Sequence, residues 1–219
     1  SCGLTEARMY VEVINQRLQQ DVVPGDTVQY GIIITNSEVG MGAITIKPLI
    51  YRLVCTNGMV VSKQLGGGAH RIHKGSALPL SGTMRSYEAP GLSGRQQMVT
   101  SIRQSLTEAI QGAKFEIVLE QMRRAAKAAI EAEDLTAFMK EVGPAVGLRE
   151  AEQSPVLQHL LAERDMTQYG LANAVTRYAQ DVDSYDRATE LETLGYDLMT
   201  MPQRQWTHFN EMAAALAAA

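Results

Sequence analysis

The feature that most constrains the fold of this chain is a β-rich stretch at residues 27–74. Residues 28–35 are too short a run, and too rich in β-branched side chains, to predict a helix, so we expect a strand there. A second strand is expected over residues 43–55, where the apolar positions shift by one after Pro48. A one-residue change of face at a proline predicts a β-bulge, or a strand that passes from one layer to another.

Turn signals divide the rest of the β region. Asn57-Gly58 predicts a type I′ hairpin turn, since both central residues of that turn need positive φ, and residues 59–65 would form the return strand. Upstream, the side chains of residues 9–17 alternate in a way that predicts a half-buried strand. Residues 4–8 are interpreted as the end of a helix, and residues 19–21 as a connecting turn.

Helical periodicity replaces the β pattern further along the chain. Residues 95–132 carry apolar side chains at steps of three and four, which predicts one long amphipathic helix. Residues 135–142 predict a short helix that Gly143-Pro144 ends. Further helix starts are expected at residues that favour N-terminal positions, namely Pro155, Thr167 and Ser184.

This order of elements predicts an α+β fold. A twisted, mainly antiparallel sheet of about four or five strands would be crossed by one long helix and followed by a helical C-terminal half. We expect residues 1–132 to form the α+β core and residues 133–219 to pack on or beside it. A chain of 219 residues with 45% apolar side chains is long enough for one large domain with a helical annex.

Several features point to a cytoplasmic protein without a membrane span. No apolar run reaches the roughly 18 residues that a membrane helix needs, and no signal peptide is visible. Cys2 and Cys55 are too few for a disulfide framework, which favours free thiols in a reducing compartment.

The net charge of −4 hides an uneven layout along the chain. Residues 1–43 hold two Arg against five acidic residues, and residues 105–219 hold ten basic against eighteen acidic residues. Residues 44–104, in contrast, hold eight Lys and Arg against Glu88 alone. A basic segment inside an acidic protein indicates local anion binding. Its alternative is a solvated segment whose cations pair with the acidic helices of the same or a neighbouring subunit.

Individual polar residues leave alternatives open. Arg52 interrupts an apolar strand, where it would either form a buried ion pair with Glu12 or Glu38 or face a ligand phosphate. The i, i+3 spacing of His70 and His73 is compatible with a metal, but without further ligands nearby a basic, hydrogen-bonding loop is favoured. Asn36-Ser37-Glu38 predicts a turn, with an acidic or amide site as the alternative.

Two runs carry a resemblance to a known family. The first reads ITNSEVGMGAITIKPLIYRLVCTNGMVV, and the second reads TQYGLANAVTRYAQDVDSYDRATELETLGYDLM. Both are similar to the phage- and plasmid-like family called domain of unknown function 932, across most of residues 4–201. Membership would imply a mobile-element setting. In element order alone, the chain also resembles the core of ring- or filament-forming single-strand annealing proteins.

These observations favour a nucleic-acid-binding protein of a mobile element that anneals or protects single strands. Phosphates would be held by the basic side chains of the 44–104 segment: Arg52, Lys63, His70, Arg71, His73, Lys74 and Arg85. The loop of residues 75–94 interleaves Arg85 with Tyr87, as single-strand binding surfaces do. We expect no metal and no cofactor, and we expect a homo-oligomer.

Two other classes of function compete with this one. The first is a self-assembling structural protein, or a counter-defence protein that binds a host protein, with an acidic helical half and a basic half joined head to tail. The second is an enzyme that would use Glu38, Cys55, His70 or His73. The enzyme hypothesis has the least support, because no nucleophile–base spacing, phosphate loop or metal cluster accompanies those residues.

Overall fold

A computed structural model describes residues 2–5, 8–36, 43–61, 70–72, 96, 99–100, 103–104, 106–107 and 114–217. It confirms the predicted α+β fold, with an antiparallel sheet in the first third of the chain and a helical C-terminal half. The described strands are β1 (Cys2–Leu4), β2 (Met9–Val23), β3 (Asp26–Asn36), β4 (Ala43–Arg52), β5 (Asn57–Val60) and β6 (His70–Ile72).

Helices follow the sheet along the chain. Within the described residues we number them α1 (Phe115–Ala125), α2 (Leu135–Val146), α3 (Glu150–Glu163), α4 (Gln168–Tyr178), α5 (Tyr185–Met199) and α6 (Gln203–Ala217). The described residues between 96 and 107 are also helical. Within the described part of the chain, no helix is both long and apolar enough to cross a membrane.

The strands lie in the order β1-β2-β3-β4-β5, and β6 pairs with the first residues of β4. The register of β3 with β4 runs without a shift from Val28 opposite Arg52 to Thr35 opposite Thr45, so the β-bulge predicted at Pro48 is wrong. The apolar phase changes there because β4 is buried on both faces. Leu49 packs with one cluster and Ile50 with another.

The irregular strand is β2 instead. Its register with β3 shifts between Asn15 and Gln19 and again between Asp21 and Val23. The turn predicted at residues 19–21 is therefore wrong, because these residues continue β2 past the first shift. The helix end predicted at residues 4–8 is also wrong, since Cys2–Leu4 forms a strand antiparallel to β2.

The hairpin turn between β4 and β5 lies immediately before the two residues, Asn57 and Gly58, that the sequence predicts for it. Residues 53–56 form the turn, and Asn57 and Gly58 are the first two residues of β5, opposite Arg52 and Tyr51. Asn57 is held in the strand because its buried amide nitrogen donates to Thr176 Oγ1 and, at 3.4 Å, to the Asn173 carbonyl of α4. The predicted return strand ends at Val60, and residues 62–65 lie outside the described residues.

Three predicted helix boundaries are also wrong. The helix predicted over residues 95–132 ends at Ala125. Helix α2 continues through Pro144 to Val146, and Gly147, with a φ of +90°, caps its C-terminus. Helix α3 begins at Glu150, before Pro155, with the Glu152 carboxylate accepting from the Arg149 amide at 2.8 Å. The caps predicted at Thr167 and Ser184 are confirmed, since their hydroxyls accept from the Gly170 and Arg187 amides.

Helix α6 completes the backbone hydrogen bonding of the segment that follows α1. The Trp206 indole and the Asn210 amide both donate to the Ala129 carbonyl, at 2.9 and 3.2 Å. The Asn210 carbonyl oxygen accepts from the Glu131 amide at 3.1 Å. These contacts satisfy backbone groups that leave the helical ladder after Ala125.

One large buried cluster joins the sheet to the helices, with Val28, Tyr30 and Ile50 on the side of the sheet that meets Phe115 and Val118 of α1. A smaller cluster lies on the opposite face, where the partly buried Tyr185 of α5 packs against it; its fully buried members are Tyr10, Ile33, Leu49 and Val60. Packing on both faces places the β4–β5 end of the sheet beside α3, α4 and α5.

Candidate functional site

A buried ion network occupies the end of the sheet where β4 turns into β5. Arg52 Nε donates to both carboxylate oxygens of Asp26, at 2.8 and 3.0 Å, and Arg52 Nη1 donates to Glu163 Oε2 at 2.6 Å. The Tyr169 hydroxyl donates to Asp26 Oδ2 at 3.0 Å, and its ring lies 5.8 Å from the guanidinium carbon. The Cys55 thiol donates to Glu163 Oε1 at 3.3 Å.

The charges in this network are fixed by its surroundings. Burial alone would lower the pKa of Arg52, but the hydrogen bonds to Asp26 and Glu163 outweigh burial and raise it, so the guanidinium stays charged. Burial raises the pKa of the Cys55 thiol even though the Arg52 charge opposes that shift. A protonated thiol is a poor nucleophile, so this arrangement favours a structural role for Cys55.

The ion-pair alternative for Arg52 is therefore the geometry observed. Among the described residues, its ion-pair partners are Asp26 and Glu163, neither of which the sequence analysis names. Two carboxylates on one guanidinium leave this side chain little capacity for a phosphate, so Arg52 is not among the phosphate-binding residues that we propose. Glu38 lies outside the described residues.

The backbone beside the network adopts unusual conformations. In the described part of the chain, the non-glycine residues with positive φ are Thr56, at 52°, and Arg164, at 57°. Each follows a member of the network, Cys55 or Glu163. Positive φ is uncommon for a β-branched residue such as Thr56, and such residues occur where the surroundings hold the backbone in place. Here the Gln180 amide donates to the Thr56 carbonyl at 2.7 Å.

Two of the predicted phosphate-binding residues, His70 and Arg71, lie in β6. This strand pairs antiparallel with β4, with Thr45 opposite His70 and Ile44 opposite Arg71. Four of the other predicted phosphate ligands lie outside the described residues, and they are Lys63, His73, Lys74 and Arg85. The predicted loop at residues 75–94 lies outside them as well. Among the residues that the structure describes, no group of three or more His, Cys, Asp and Glu could hold a metal ion.

A half-buried carboxyl group lies on the other face of the sheet. A Cβ placed on Gly58 would be 3.1 Å from Glu192 Oε1, which puts this side chain of α5 directly over β5. Burial, together with the nearby charge of Glu12, raises the pKa of Glu192 to about 8. Glu192 is therefore mostly protonated at neutral pH.

We expect Glu192→Gln to flatten the pH dependence of stability. The folded protein holds a proton that the unfolded chain, with the ordinary pKa of 4.5, releases. The free energy of unfolding of the native sequence should therefore fall as pH rises from 4.5 to about 8, by up to about 1 kcal/mol per pH unit, and level off above that. Urea denaturation across this range would measure the slope. The exposed Glu133→Gln is the control, and an unchanged slope in Glu192→Gln would contradict the assignment.

Sequence reasoning missed most of the ion network. Asp26 follows a Pro-Gly turn and has the appearance of a turn residue, while Glu163 sits among the charged residues near the end of a helix. The signal in the sequence is the single Arg in an apolar strand, because a buried Arg needs a carboxylate partner. Near the network, Asn173 and Thr176 form a buried polar pair, with the Thr176 hydroxyl donating to the Asn173 carbonyl at 3.1 Å.

No curated protein and no solved structure matches this chain. The model of the family described as Domain of unknown function (DUF932) matches residues 4–212, which include the whole described sheet after Gly3 and nearly all of the helical half. The match covers far more than half of the chain, and the chain therefore belongs to the DUF932 family.

Proposed function

We propose that this chain is a nucleic-acid-binding protein of a phage or plasmid, and that it anneals or protects single strands without enzymatic chemistry. The observation that carries the proposal is the pairing of β6 with β4, which fixes the backbone of His70 and Arg71 at the rim of the sheet. The segment of residues 44–104 around them holds eight Lys and Arg against one acidic residue, in a chain that is otherwise acidic. A polyanion would be attracted to this segment and repelled by the helical half.

The proposed phosphate-binding residues are Lys63, His70, Arg71, His73, Lys74 and Arg85. The order of an antiparallel sheet, a basic stretch and then helix is the feature that resembles single-strand annealing proteins. The mobile-element setting rests on the resemblance of this chain to phage- and plasmid-like sequences.

Binding of a labelled single-stranded oligonucleotide tests this proposal. We expect a complex at low salt whose affinity falls steeply as salt is added. Replacing Lys63, Arg71 and Lys74 together with Ala should weaken binding strongly and reduce the slope of log K against log salt by about 0.7 for each phosphate that is no longer neutralised. Fluorescence anisotropy at several salt concentrations would measure both quantities.

A variant with the same change of charge provides the control. Lys127, Lys140 and Arg204 are exposed cations in the region that follows α1 and in the helical half. Their triple Ala replacement should leave the affinity and the salt slope close to those of the native protein. An equally weakened affinity in both variants would show that binding does not depend on the basic segment, and absence of any complex at low salt would reject the proposed function.

A further inference from the structure

The face of the sheet on which α5 packs has a polar corner where β3, β4 and β6 lie side by side. In the strand register, Thr35 of β3 is opposite Thr45 of β4, and Thr45 is opposite His70 of β6. Successive residues of a strand point to opposite faces, so Lys47 lies on the same face as Thr45, roughly 7 Å further along β4. We call Thr35, Thr45 and Lys47 the β4 corner.

Neighbouring residues of β4 identify the face on which this corner lies. Leu49, two residues after Lys47, belongs to the buried cluster against which Tyr185 of α5 packs. On the other face of β4, Ile46 is 2% exposed and packs with Ile32. The three residues of the β4 corner are each partly exposed. A ligand would therefore reach this part of the sheet from the α5 face.

The two threonines of the corner keep one hydrogen-bond donor for a ligand. The hydroxyls of Thr35 and Thr45 hydrogen-bond to each other. Two hydroxyls carry two protons, and only one proton lies between them, so the other proton needs a second acceptor. Neither hydroxyl has a further hydrogen-bond partner in the described part of the chain. The phosphate and sugar oxygens of a nucleic acid are acceptors that suit this donor.

The charged residues on this face favour an anion at β4 over one at β2. Residues 43–61 contain two cations, Lys47 and Arg52, and Arg52 is bound by two carboxylates. Lys47 is therefore the cation of this stretch that lies at a partly exposed position. Glu12 of β2 lies on the same face, separated from Lys47 by Ile33 of β3. A polyanion is attracted to the side of the face formed by β4 and β6 and repelled from the side formed by β2.

We propose that a single nucleic-acid strand crosses the β4 corner, where Lys47 Nζ binds a phosphate and the threonine pair donates to a phosphate or sugar oxygen. His70 and Arg71 pair with β4 beside this corner, so the bound strand continues from Lys47 towards the basic segment. This inference rests on the proposed function and extends it in two ways. It adds Lys47, which is not among the phosphate-binding residues named above, and it assigns the ligand to the α5 face of the sheet.

Binding of a labelled single-stranded oligonucleotide to single-residue variants tests this inference. Lys47→Met removes the charge but keeps the length of the aliphatic chain. It should weaken binding at low salt by about 5- to 10-fold and reduce the slope of log K against log salt by about 0.7. Lys47→Arg keeps the charge and should bind like the native protein. Thr45→Val removes a hydroxyl but no charge, so it should weaken binding by about 2- to 10-fold and leave the salt slope unchanged.

Lys127→Met, at an exposed residue that follows α1, makes the same change of charge and is the matched control, which should bind like the native protein. Circular dichroism would verify folding, with Lys47→Gln in place of Lys47→Met if the latter unfolds. The inference is overturned, and the proposed function stands, if the native protein binds and either Lys47→Met or Thr45→Val binds as tightly. It is also overturned if Lys47→Arg is weakened as much as Lys47→Met, or if Lys47→Met keeps the native salt slope. If the native protein forms no complex at low salt, both proposals are rejected.

Discussion

Arg52→Ala should lower the free energy of unfolding by about 3–5 kcal/mol, the largest effect that we expect from a single polar substitution in this chain. The side chains of Arg52 and Asp26 are only 10% and 9% exposed, and Glu163 is 18% exposed. Removal of the guanidinium leaves two carboxylates close together in a site that water reaches poorly. Typical domains have a total stability of about 5–15 kcal/mol, so this variant is expected to be close to unfolding.

Guanidinium chloride denaturation followed by circular dichroism would measure the change in stability. The control is Arg177→Ala, which breaks an exposed ion pair with Asp181 and should cost about 1 kcal/mol or less. The triple variant Arg52→Met, Asp26→Asn, Glu163→Gln should recover much of the stability, because no uncompensated charge remains buried. If Arg52→Ala costs no more than Arg177→Ala, the ion network does not stabilise the fold.

Gly195→Ala should destabilise the protein by about 1–3 kcal/mol, although alanine is the better helix former. Gly195 lies in α5 where that helix crosses α4. A Cβ at this position would be 2.4 Å from the Thr176 methyl group and 3.0 Å from the Ala172 carbonyl. The Ala172 carbonyl cannot move without shifting α4, and rotation of Thr176 would break the hydrogen bonds of its hydroxyl with Asn57 and Asn173. The overpacking therefore exceeds the gain of about 1 kcal/mol from helix propensity. Thermal or urea denaturation would give the size and sign of the change.

A second helical glycine provides the matched control. A Cβ on Gly143 in α2 would approach the side chain of Gln153, whose Nε2 lies 2.9 Å away. The end of a Gln side chain can rotate aside, so Gly143→Ala should be neutral or stabilise the protein by up to about 1 kcal/mol. If Gly195→Ala were to stabilise the protein as much as Gly143→Ala, the close approach of α4 and α5 would be contradicted.

The β-rich part of the chain shows which features of the fold can be predicted from residue patterns. Alternating side chains predict the first part of β2 and much of β4, and a run of β-branched residues predicts β3, because strand propensity and burial act there in the same direction. The pattern of apolar residues is the same for a strand that is buried on both faces and for a strand that changes face at a bulge. It therefore predicts a bulge at Pro48, whereas the register shifts lie in β2. Local sequence predicts a turn at Asn57-Gly58, but the contact of the Asn57 amide with α4 holds both residues in β5. This contact is a tertiary interaction, which a local pattern does not reveal.

The candidate site also has features that the sequence predicts and features that only the structure reveals. An Arg among apolar residues indicates that Arg52 has an anionic partner, either a carboxylate or a ligand phosphate, since the cost of burying an unpaired charge is a local property. Its partners could not be identified, because Asp26 and Glu163 are separated from it by 26 and 111 residues. The basic segment can be identified from the sequence by counting charges. Its pairing with β4 through β6 can be identified only from the structure.

The contacts of Trp206 and Asn210 with the segment at residues 129–131 also have a consequence for biosynthesis. A nascent chain that has emerged only as far as α5 holds the sheet and most of its helices, but the Ala129 carbonyl and the Glu131 amide still lack the partners that α6 provides. These hydrogen bonds can therefore form only after α6 has left the ribosome, so this part of the fold is completed last during synthesis.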